Sequence, residues 1–287
     1  MSTDDDKYPE QSGRRRFVKG VVGSAALAGV GTGTSAIVNT TTNPTGRGGG
    51  SLQYYGMANT AGPAPRAMPQ IPVEIDADGF LKGIWPPVEE VSQGGRTINI
   101  ARMELGGVEY SNEWFQYCGV QTYPGVVPEA DQDNFFRYAD SPPYEWQSAD
   151  VSAGDKVHVD DFADYDSWGN NIGQAGIGKP AFATWRSQDV PQGSTMPVQI
   201  IRSTMVADAI QAAEGELADW LEASTQSDFI AILDKCTHFC CVPGFKSFTD
   251  SAKFDAADDI YCQCHQSVYD PYQIVKKQFV ALPRPGD

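Results

Sequence analysis

The sequence is organised around two stretches, Cys236-Thr237-His238-Phe239-Cys240-Cys241-Val242-Pro243 and Cys262-Gln263-Cys264-His265-Gln266-Ser267-Val268-Tyr269-Asp270. Together they hold five of the six cysteines and two of the three histidines of the chain. The first contributes a Cys-x-His pair and the second a Cys-x-x-His pair. Thiolates and imidazoles gathered this densely in loop-like sequence indicate a metal site far more often than chance packing.

A zinc ion held by two cysteines and two histidines fits the number of donors. Two observations favour a different centre. Both stretches contain cysteines beyond the four ligands that such a zinc site needs. The N-terminal sequence also predicts export to a compartment where a disulfide is stable. Zinc therefore stays the rival interpretation of these donors.

The arrangement resembles the Rieske iron–sulfur subunits of cytochrome bc-type complexes, in which two loops each give one Cys and one His. The resemblance extends over residues 151–285. Its other matching segments are Gly178-Lys179-Pro180, the run Phe229–Leu233, Val242-Pro243 and Ser267-Val268-Tyr269-Asp270. It implies a mainly β fold, an antiparallel β-sandwich with a small cluster-binding subdomain formed by loops 234–246 and 260–273.

The resemblance also implies one Rieske-type 2Fe–2S cluster per chain. Cys236 and Cys262 would bind the buried iron, and His238 and His265 would bind the iron nearer to solvent. Of these four, His265 would be the catalytic residue, because it is the one expected at the exposed tip of the protein.

Four further residues gain a role from the same resemblance. Cys241 and Cys264 would form a disulfide between the loops, although the adjacent Cys240 leaves the choice of partner open. The hydroxyls of Ser267 and Tyr269 would hydrogen-bond a bridging sulfide and a cysteine sulfur. Donors aimed at sulfur stabilise an added electron, so they raise the reduction potential.

The function implied is electron transfer. No nucleotide-binding loop, serine triad or mononuclear iron motif accompanies the two stretches, so the chain is expected to be a redox subunit and not a complete enzyme. A quinol held by a cytochrome b partner would give one electron to the cluster and one proton to His265. The electron would then pass to a cytochrome c or a copper protein.

Two alternatives belong to other classes. One is the Rieske subunit of an exported molybdenum oxidoreductase of the arsenite oxidase or nitrate reductase type. The other is a zinc-stabilised binding module at the cell surface. A Rieske ferredoxin that serves a ring-hydroxylating dioxygenase is disfavoured by the export signal and by the extra cysteines.

The sequence departs from the family at three places. Cys240 and Gln266 stand where the family commonly has Gly, and a Cys at a left-handed position would carry strain. Cys118 and Cys240 would either pair with each other or remain two buried thiols. No proline-rich covering segment follows the second stretch, and the string Gly62-Pro63-Ala64-Pro65 lies too far upstream to be given that role.

The N-terminal region predicts an export signal and a membrane anchor. Residues 1–16 form a cytoplasmic segment that ends in a motif resembling the twin-arginine export signal, with Arg14 and Arg15 as the paired arginines. Residues 17–38 predict an uncleaved transmembrane helix, with the arginines inside. Residues 39–72, rich in Gly and Pro, predict a flexible tether. The remainder would lie on the outer face of the cytoplasmic membrane.

Short apolar or alternating runs with Gly and Pro boundaries predict strands in the rest of the chain. They are Thr97–Leu105, Lys156–Val159, Ala181–Trp185, Val198–Ile201, Phe229–Leu233 and Ile274–Leu282. Residues 206–221 predict one inserted helix with a buried face. The expected division is a β-rich part at 73–150, with an insertion at 106–146, and a Rieske domain at 151–287.

Composition narrows the possible partners. The chain has 37 acidic and 21 basic residues, a formal net charge of −16. A surface this negative repels nucleic-acid phosphates, so nucleic acid is excluded as a partner. An excess of carboxylates is also typical of proteins from salt-loving organisms such as haloarchaea.

Overall fold

Antiparallel strands dominate the computed structural model, which describes residues 51–93 and 95–281. The strands are β1 (Ser51–Ala61), β2 (Met68–Ile71), β3 (Val73–Ile75), β4 (Leu81–Gly83), β5 (Val88–Gln93), β6 (Arg96–Leu105), β7 (Val108–Ser111), β8 (Phe136–Tyr138), β9 (Lys179–Trp185), β10 (Met196–Arg202), β11 (Phe229–Leu233), β12 (Gly244–Phe245), β13 (Ile260–Cys262) and β14 (Ser267–Val280). The α-helices are α1 (Glu145–Asp150), α2 (Thr204–Ala212) and α3 (Glu216–Ser224).

Nine strands form one sheet in the order β12-β13-β14-β1-β2-β11-β10-β9-β8, and every pair in it is antiparallel. Strands β3 and β4 form a second sheet, and β5, β6 and β7 form a third. The prediction of a mainly antiparallel β fold is therefore confirmed. The short strand β2 lies between the two halves of the large sheet. It pairs with β1, at the edge of the half formed by β12, β13, β14 and β1, and with β11, at the edge of the half formed by β8 to β11.

Strand β11 matches the predicted run Phe229–Leu233, and all five of its residues are buried. A continuous apolar run of this length suits a strand that is covered on both faces. The predicted strand at Lys156–Val159 is present only as isolated antiparallel bridges, from Lys156 to Arg137 and from His158 to Phe80. His158 also begins a 3-10 turn: its ring accepts a hydrogen bond from the Asp160 N–H, and the Asp161 carboxylate accepts one from the His158 N–H.

The single inserted helix that the sequence predicts is divided into α2 and α3. Helix α2 ends where Ala213 takes an extended conformation, and Gly215, with a φ of 57°, directly precedes α3. The predicted buried face is present, because Val206, Trp220 and Leu221 are all buried. The short helix α1 was not predicted.

The expectation of a tether at 39–72 is wrong for residues 51–71. Strand β1 pairs with β14 from Ser51↔Val280 to Ala61↔Val268, which places it inside the large sheet. Tyr54 and Met57 are buried in the core. Gly and Pro in this region form a turn between strands and not a linker, because the apolar residues around them have a sheet to pack against.

The expected boundary at residue 150 does not separate two bodies. Strand β8, before that boundary, pairs with β9 after it. The insertion at 106–146 also contributes to the common core, since Trp114 packs against Trp220 with ring centroids 5.0 Å apart. The described residues between 51 and 281 belong to one compact unit.

The N-terminal predictions concern residues outside the described part of the chain. These are the segment 1–16 with Arg14 and Arg15, the anchor at 17–38 and the first part of the tether. Within residues 51–281, no helix has the length and apolar character needed to cross a membrane.

Candidate metal centre

The first loop leaves β11 and folds back on itself within a few residues. The Cys236 N–H donates to the Cys241 carbonyl at 2.7 Å, and the Cys240 N–H donates to the Cys236 carbonyl at 3.1 Å. Cys240 takes a φ of 63° to close this turn. The result is a compact loop with the Cys236 sulfur on its buried side.

The second loop is the tip of the β13–β14 hairpin. Cys262 and Ser267 are paired across the ladder, so four residues form the turn between them. The Gln266 N–H donates to the Cys262 carbonyl at 2.9 Å, and Gln266 has a φ of 56°. Both positions where the sequence has a larger residue in place of the family's Gly are therefore left-handed.

A disulfide between Cys241 and Cys264 joins the two loops, with the Cα atoms 6.7 Å apart. The pairing is the one that the resemblance implies, and Cys240 is left out of it. The bond connects residues 23 positions apart and adds a covalent link between two loops that the β12–β13 pairing already brings together.

The Cys236 and Cys262 thiols lie together beneath the disulfide, and both are fully buried. A hydrogen bond from the Cys262 thiol lowers the pKa of Cys236 to about 5, against the opposing effect of burial. The Tyr269 hydroxyl, the His238 N–H and the Ser267 hydroxyl lower it further. The same contact raises the pKa of Cys262, and burial adds to that effect. The surroundings of this pair thus favour the thiolate at one of its sulfurs, and the thiolate is the form that binds metals.

The two imidazoles lie outside the thiols. The ring centroids of His238 and His265 are 4.7 Å apart, and Phe239 packs against the His265 ring at 5.0 Å. His238 is half-buried, and its Nδ1 is buried without a hydrogen-bond partner among the described residues. His265 is exposed.

These residues fit a metal group with sulfur donors inside and nitrogen donors outside. The buried Nδ1 of His238 lacks a partner, and the buried Ser267 Oγ makes no well-aligned hydrogen bond to any described residue. Buried polar atoms usually have partners, and a bound metal group would supply both. A mixed set of thiolate and imidazole donors suits zinc and iron–sulfur clusters alike.

One other set of donors lies close together. The sulfur atoms of Cys241, Cys262 and Cys264 are within 4.8 Å of one another. Two of these three sulfurs are joined in the disulfide, so Cys262 alone of the three keeps a thiol. The set could act as a three-thiolate site only after reduction of the bond.

A buried carboxyl lies next to the first ligand. Asp234 is fully buried, and neither of its oxygens has a hydrogen-bond partner within the described residues. Burial raises its pKa well above the usual range, Lys235 lowers it, and the negative charge of Cys236 adds to the rise. A neutral carboxyl here avoids a second negative charge beside the thiolate. Sequence analysis missed this residue, because an aspartate beside a polar loop gives no sign of burial.

The segment from Gly62 to Arg66 covers the third side of the loops. Gly62 has a φ of 80°, and a Cβ there would collide with the Gln266 carbonyl and the Ser267 Cα. The Thr237 hydroxyl donates to the Arg66 carbonyl at 2.7 Å. The string that the sequence leaves without a role thus touches the second loop through Gly62, and the adjacent Arg66 touches the first loop.

The insertion supports the first loop from another side. The Tyr117 hydroxyl donates to the Lys235 carbonyl at 2.9 Å, and the Cys118 thiol donates to the Cys236 carbonyl at 3.3 Å. His158, the remaining histidine, takes no part in the site, because its Nε2 contacts the Asp78 carbonyl at 2.8 Å.

No family model, curated protein or solved structure matches this chain. The functional interpretation therefore depends on the residues and geometry of the site itself.

Proposed function

We propose that this chain is an electron-transfer subunit of the Rieske type, which oxidises a quinol at a membrane cytochrome b partner. Cys236 and Cys262 would hold one iron of a 2Fe–2S cluster, and His238 and His265 would hold the other. The observation that carries the proposal is the layering of the donors, with two buried thiols beneath a half-buried and an exposed imidazole on two loops joined by a disulfide.

The spacing of the donors supports a two-metal centre over a single zinc ion. Zinc–sulfur and zinc–nitrogen bonds of about 2.3 and 2.0 Å place tetrahedral ligands roughly 3.3–3.8 Å apart. Among the described residues, the one group of three or more donors within 4.8 Å is Cys241, Cys262 and Cys264, and it includes the disulfide. The two thiols and two imidazoles form separate pairs, as two linked irons require.

The protein groups around Cys236 favour a high reduction potential. When bound, such a cluster accepts one electron, and hydrogen bonds to its sulfur atoms set how readily it does so. The Tyr269 hydroxyl lies 3.3 Å from the Cys236 sulfur, and the buried Ser267 hydroxyl lies beside it. These donors stabilise added negative charge, which suits oxidation of a quinol.

His265 is placed to exchange a proton with the substrate. Its ring is exposed at the tip, next to Phe239, of which 65% is exposed, and near Val242, of which 37% is exposed. The imidazole would accept a hydrogen bond from the quinol hydroxyl and take its proton as the electron leaves. The apolar side chains around it would give a transient contact with cytochrome b and then with a cytochrome c or copper protein.

The same site would also serve the Rieske subunit of an exported molybdenum oxidoreductase. The two assignments differ in the partner and not in the cluster. Purification with associated subunits separates them, because a cytochrome b partner carries haem and a molybdenum enzyme carries a pterin. Anchoring on the outer face of the cytoplasmic membrane belongs to this proposal, and fractionation of cells tests it.

The deciding experiment is metal analysis and EPR-monitored redox titration of the full chain in isolated membranes. We expect two irons and two acid-labile sulfides per chain, visible colour, and a high potential that falls as pH rises. A colourless protein that contains zinc would overturn the proposal in favour of a binding module, and so would a low potential independent of pH.

Single substitutions test the proposed histidine ligands one at a time. His238→Ala and His265→Ala are expected to abolish the EPR signal and the colour. His158→Ala is the matched control, because it removes the third imidazole at a turn that does not touch the loops. Retention of the full signal in either loop variant would contradict the assigned ligands.

A further inference from the structure

Two cysteines that the cluster does not use meet at one carbonyl oxygen. The Cys118 thiol donates to the Cys236 carbonyl at 3.3 Å, and the Cys240 N–H donates to that same oxygen at 3.1 Å. Cys118 belongs to the insertion and Cys240 to the first loop. The shared acceptor holds these two segments together beside the candidate metal centre.

The two side chains also contact each other. Cys118 and Cys240 are half-buried and outside the Cys241–Cys264 disulfide. Their thiols interact through a side-chain hydrogen bond. The two thiols therefore lie within hydrogen-bonding reach of each other.

The backbone at both cysteines is unusual. Cys118 has a φ of 51° and Cys240 a φ of 63°. A residue with a side chain is strained in this region, whereas Gly adopts it freely. A cysteine at each of two touching left-handed positions is understandable where the sulfur itself is needed.

We infer that Cys118 and Cys240 form a second disulfide, which ties the insertion to the first metal-binding loop. The reaction is thiol–disulfide exchange with an oxidised protein dithiol of the exported compartment. One cysteine attacks the oxidant's disulfide and displaces one of its sulfurs, which gives a mixed disulfide. The other cysteine then displaces the second sulfur. The two thiols lose two electrons and two protons, and the oxidant gains them as two thiols.

The bond would protect the pairing of the loops. A free thiol at Cys240, adjacent in sequence to Cys241, could attack the Cys241–Cys264 disulfide and replace it with a wrong one. A disulfide between Cys118 and Cys240 removes the free thiol of Cys240 and so prevents this exchange. It also leaves Cys236 and Cys262 as the two thiols of a chain with six cysteines, so that the metal has no competing thiolates.

The test is disulfide mapping of the full chain purified from membranes. The protein is denatured in acid, freed of metal by a chelator, and alkylated without reduction before proteolysis and mass spectrometry. We expect two alkylated cysteines, Cys236 and Cys262, and a peptide pair that joins Cys118 to Cys240. Four alkylated cysteines, or a Cys240–Cys264 link, would overturn the inference.

Variants give a second measurement that does not depend on bound metal. Cys118→Ser is expected to raise the number of alkylated cysteines from two to three, with Cys240 as the new one. The double variant of Cys118→Ser and Cys240→Ser is the matched control, which should return the number to two. If Cys118→Ser leaves the number of alkylated cysteines at two, the inference is contradicted. Because the pattern is read in unfolded protein, it is separate from the outcome for the iron–sulfur cluster.

Discussion

The Tyr269 hydroxyl lies 3.3 Å from the Cys236 sulfur and accepts a hydrogen bond from the Thr237 N–H at 3.1 Å. Tyr269 stands on β14, while Cys236 and Thr237 follow β11. One phenol therefore connects the sheet below the second loop to the backbone of the first. It is fully buried, so its hydroxyl has no competing water.

Tyr269→Phe removes this donor while the ring stays in place. We expect the reduction potential of the loaded protein to fall by tens of millivolts, since a hydrogen bond to a charged group contributes about 1.5–3 kcal/mol. In the metal-free chain the pKa of Cys236 should rise, which a pH titration of thiolate absorbance measures. Tyr272→Phe is the matched control, because that hydroxyl donates to the Ile177 carbonyl and not to sulfur. Equal effects of the two variants would refute the role of Tyr269.

The disulfide between the loops is expected to stabilise the metal-free fold. A cross-link between residues 23 positions apart restricts the unfolded chain by about 3 kcal/mol. Replacement of both Cys241 and Cys264 by Ala should lower the free energy of unfolding by that amount in urea titrations. Reductant should shift the parent protein in the same direction and leave this double variant less affected. A loss below about 1 kcal/mol would show that the loops hold together without the bond.

Gly62→Ala tests the covering segment. A Cβ at Gly62 would meet the Gln266 carbonyl, so the segment should move off the second loop, at a cost of about 1–3 kcal/mol. Hydrogen exchange at residues 263–267 should become faster. The matched control is Gly154→Ala, because Gly154 has a similar φ of 84° but no atom within 4 Å of the added methyl group. If both variants leave exchange at the loop unchanged, the segment does not shield it.

Removal of the charge at two adjacent aspartates is expected to change the stability of the protein in opposite directions. Asp258 accepts a hydrogen bond at 2.6 Å from the Nζ of Lys246, a residue that is fully buried. Asp258→Asn leaves that ammonium without its anion and should cost about 2–3 kcal/mol. Asp259 lies among negative charges instead.

Burial, Asp270 and Asp258, in that order, raise the pKa of Asp259 to about 6. The folded state thus holds a proton that the unfolded state releases from about pH 4, so this group destabilises the fold increasingly as pH rises to 6. Asp259→Asn should stabilise the protein by about 1–2 kcal/mol at pH 7–8, after allowance for solvent screening, and should give no gain near pH 4. Urea titrations of both variants at the two pH values measure this, and a loss of stability at pH 7–8 in Asp259→Asn would contradict it.

Local sequence predicts those elements whose pattern is complete within a few residues. The five apolar residues of β11 define a buried strand by themselves, and the dense Cys and His donors indicate a metal site before any fold is known. The predicted helix is divided at residues 213–215, where Ala213 is extended and Gly215 has a positive φ, although the apolar spacing continues across them. Periodicity detects the shared buried face and not the break.

The covering segment could not be predicted from its neighbours. It follows strand β1 at residues 51–61, and the strand that pairs with β1 lies more than 200 positions later, at 268–280. The burial of Asp234 and the contact between Cys118 and Cys240 likewise depend on distant segments. Local sequence cannot supply such pairings.

The antiparallel pairing of β1 with β14 has a consequence for synthesis. The strand that leads into the turn over the metal loops is among the first described parts to leave the ribosome, and its partner is among the last. Loop closure over such a distance is slow and must await nearly the whole chain. The covering of both cysteine loops is therefore completed only after residues 267–280 have been made.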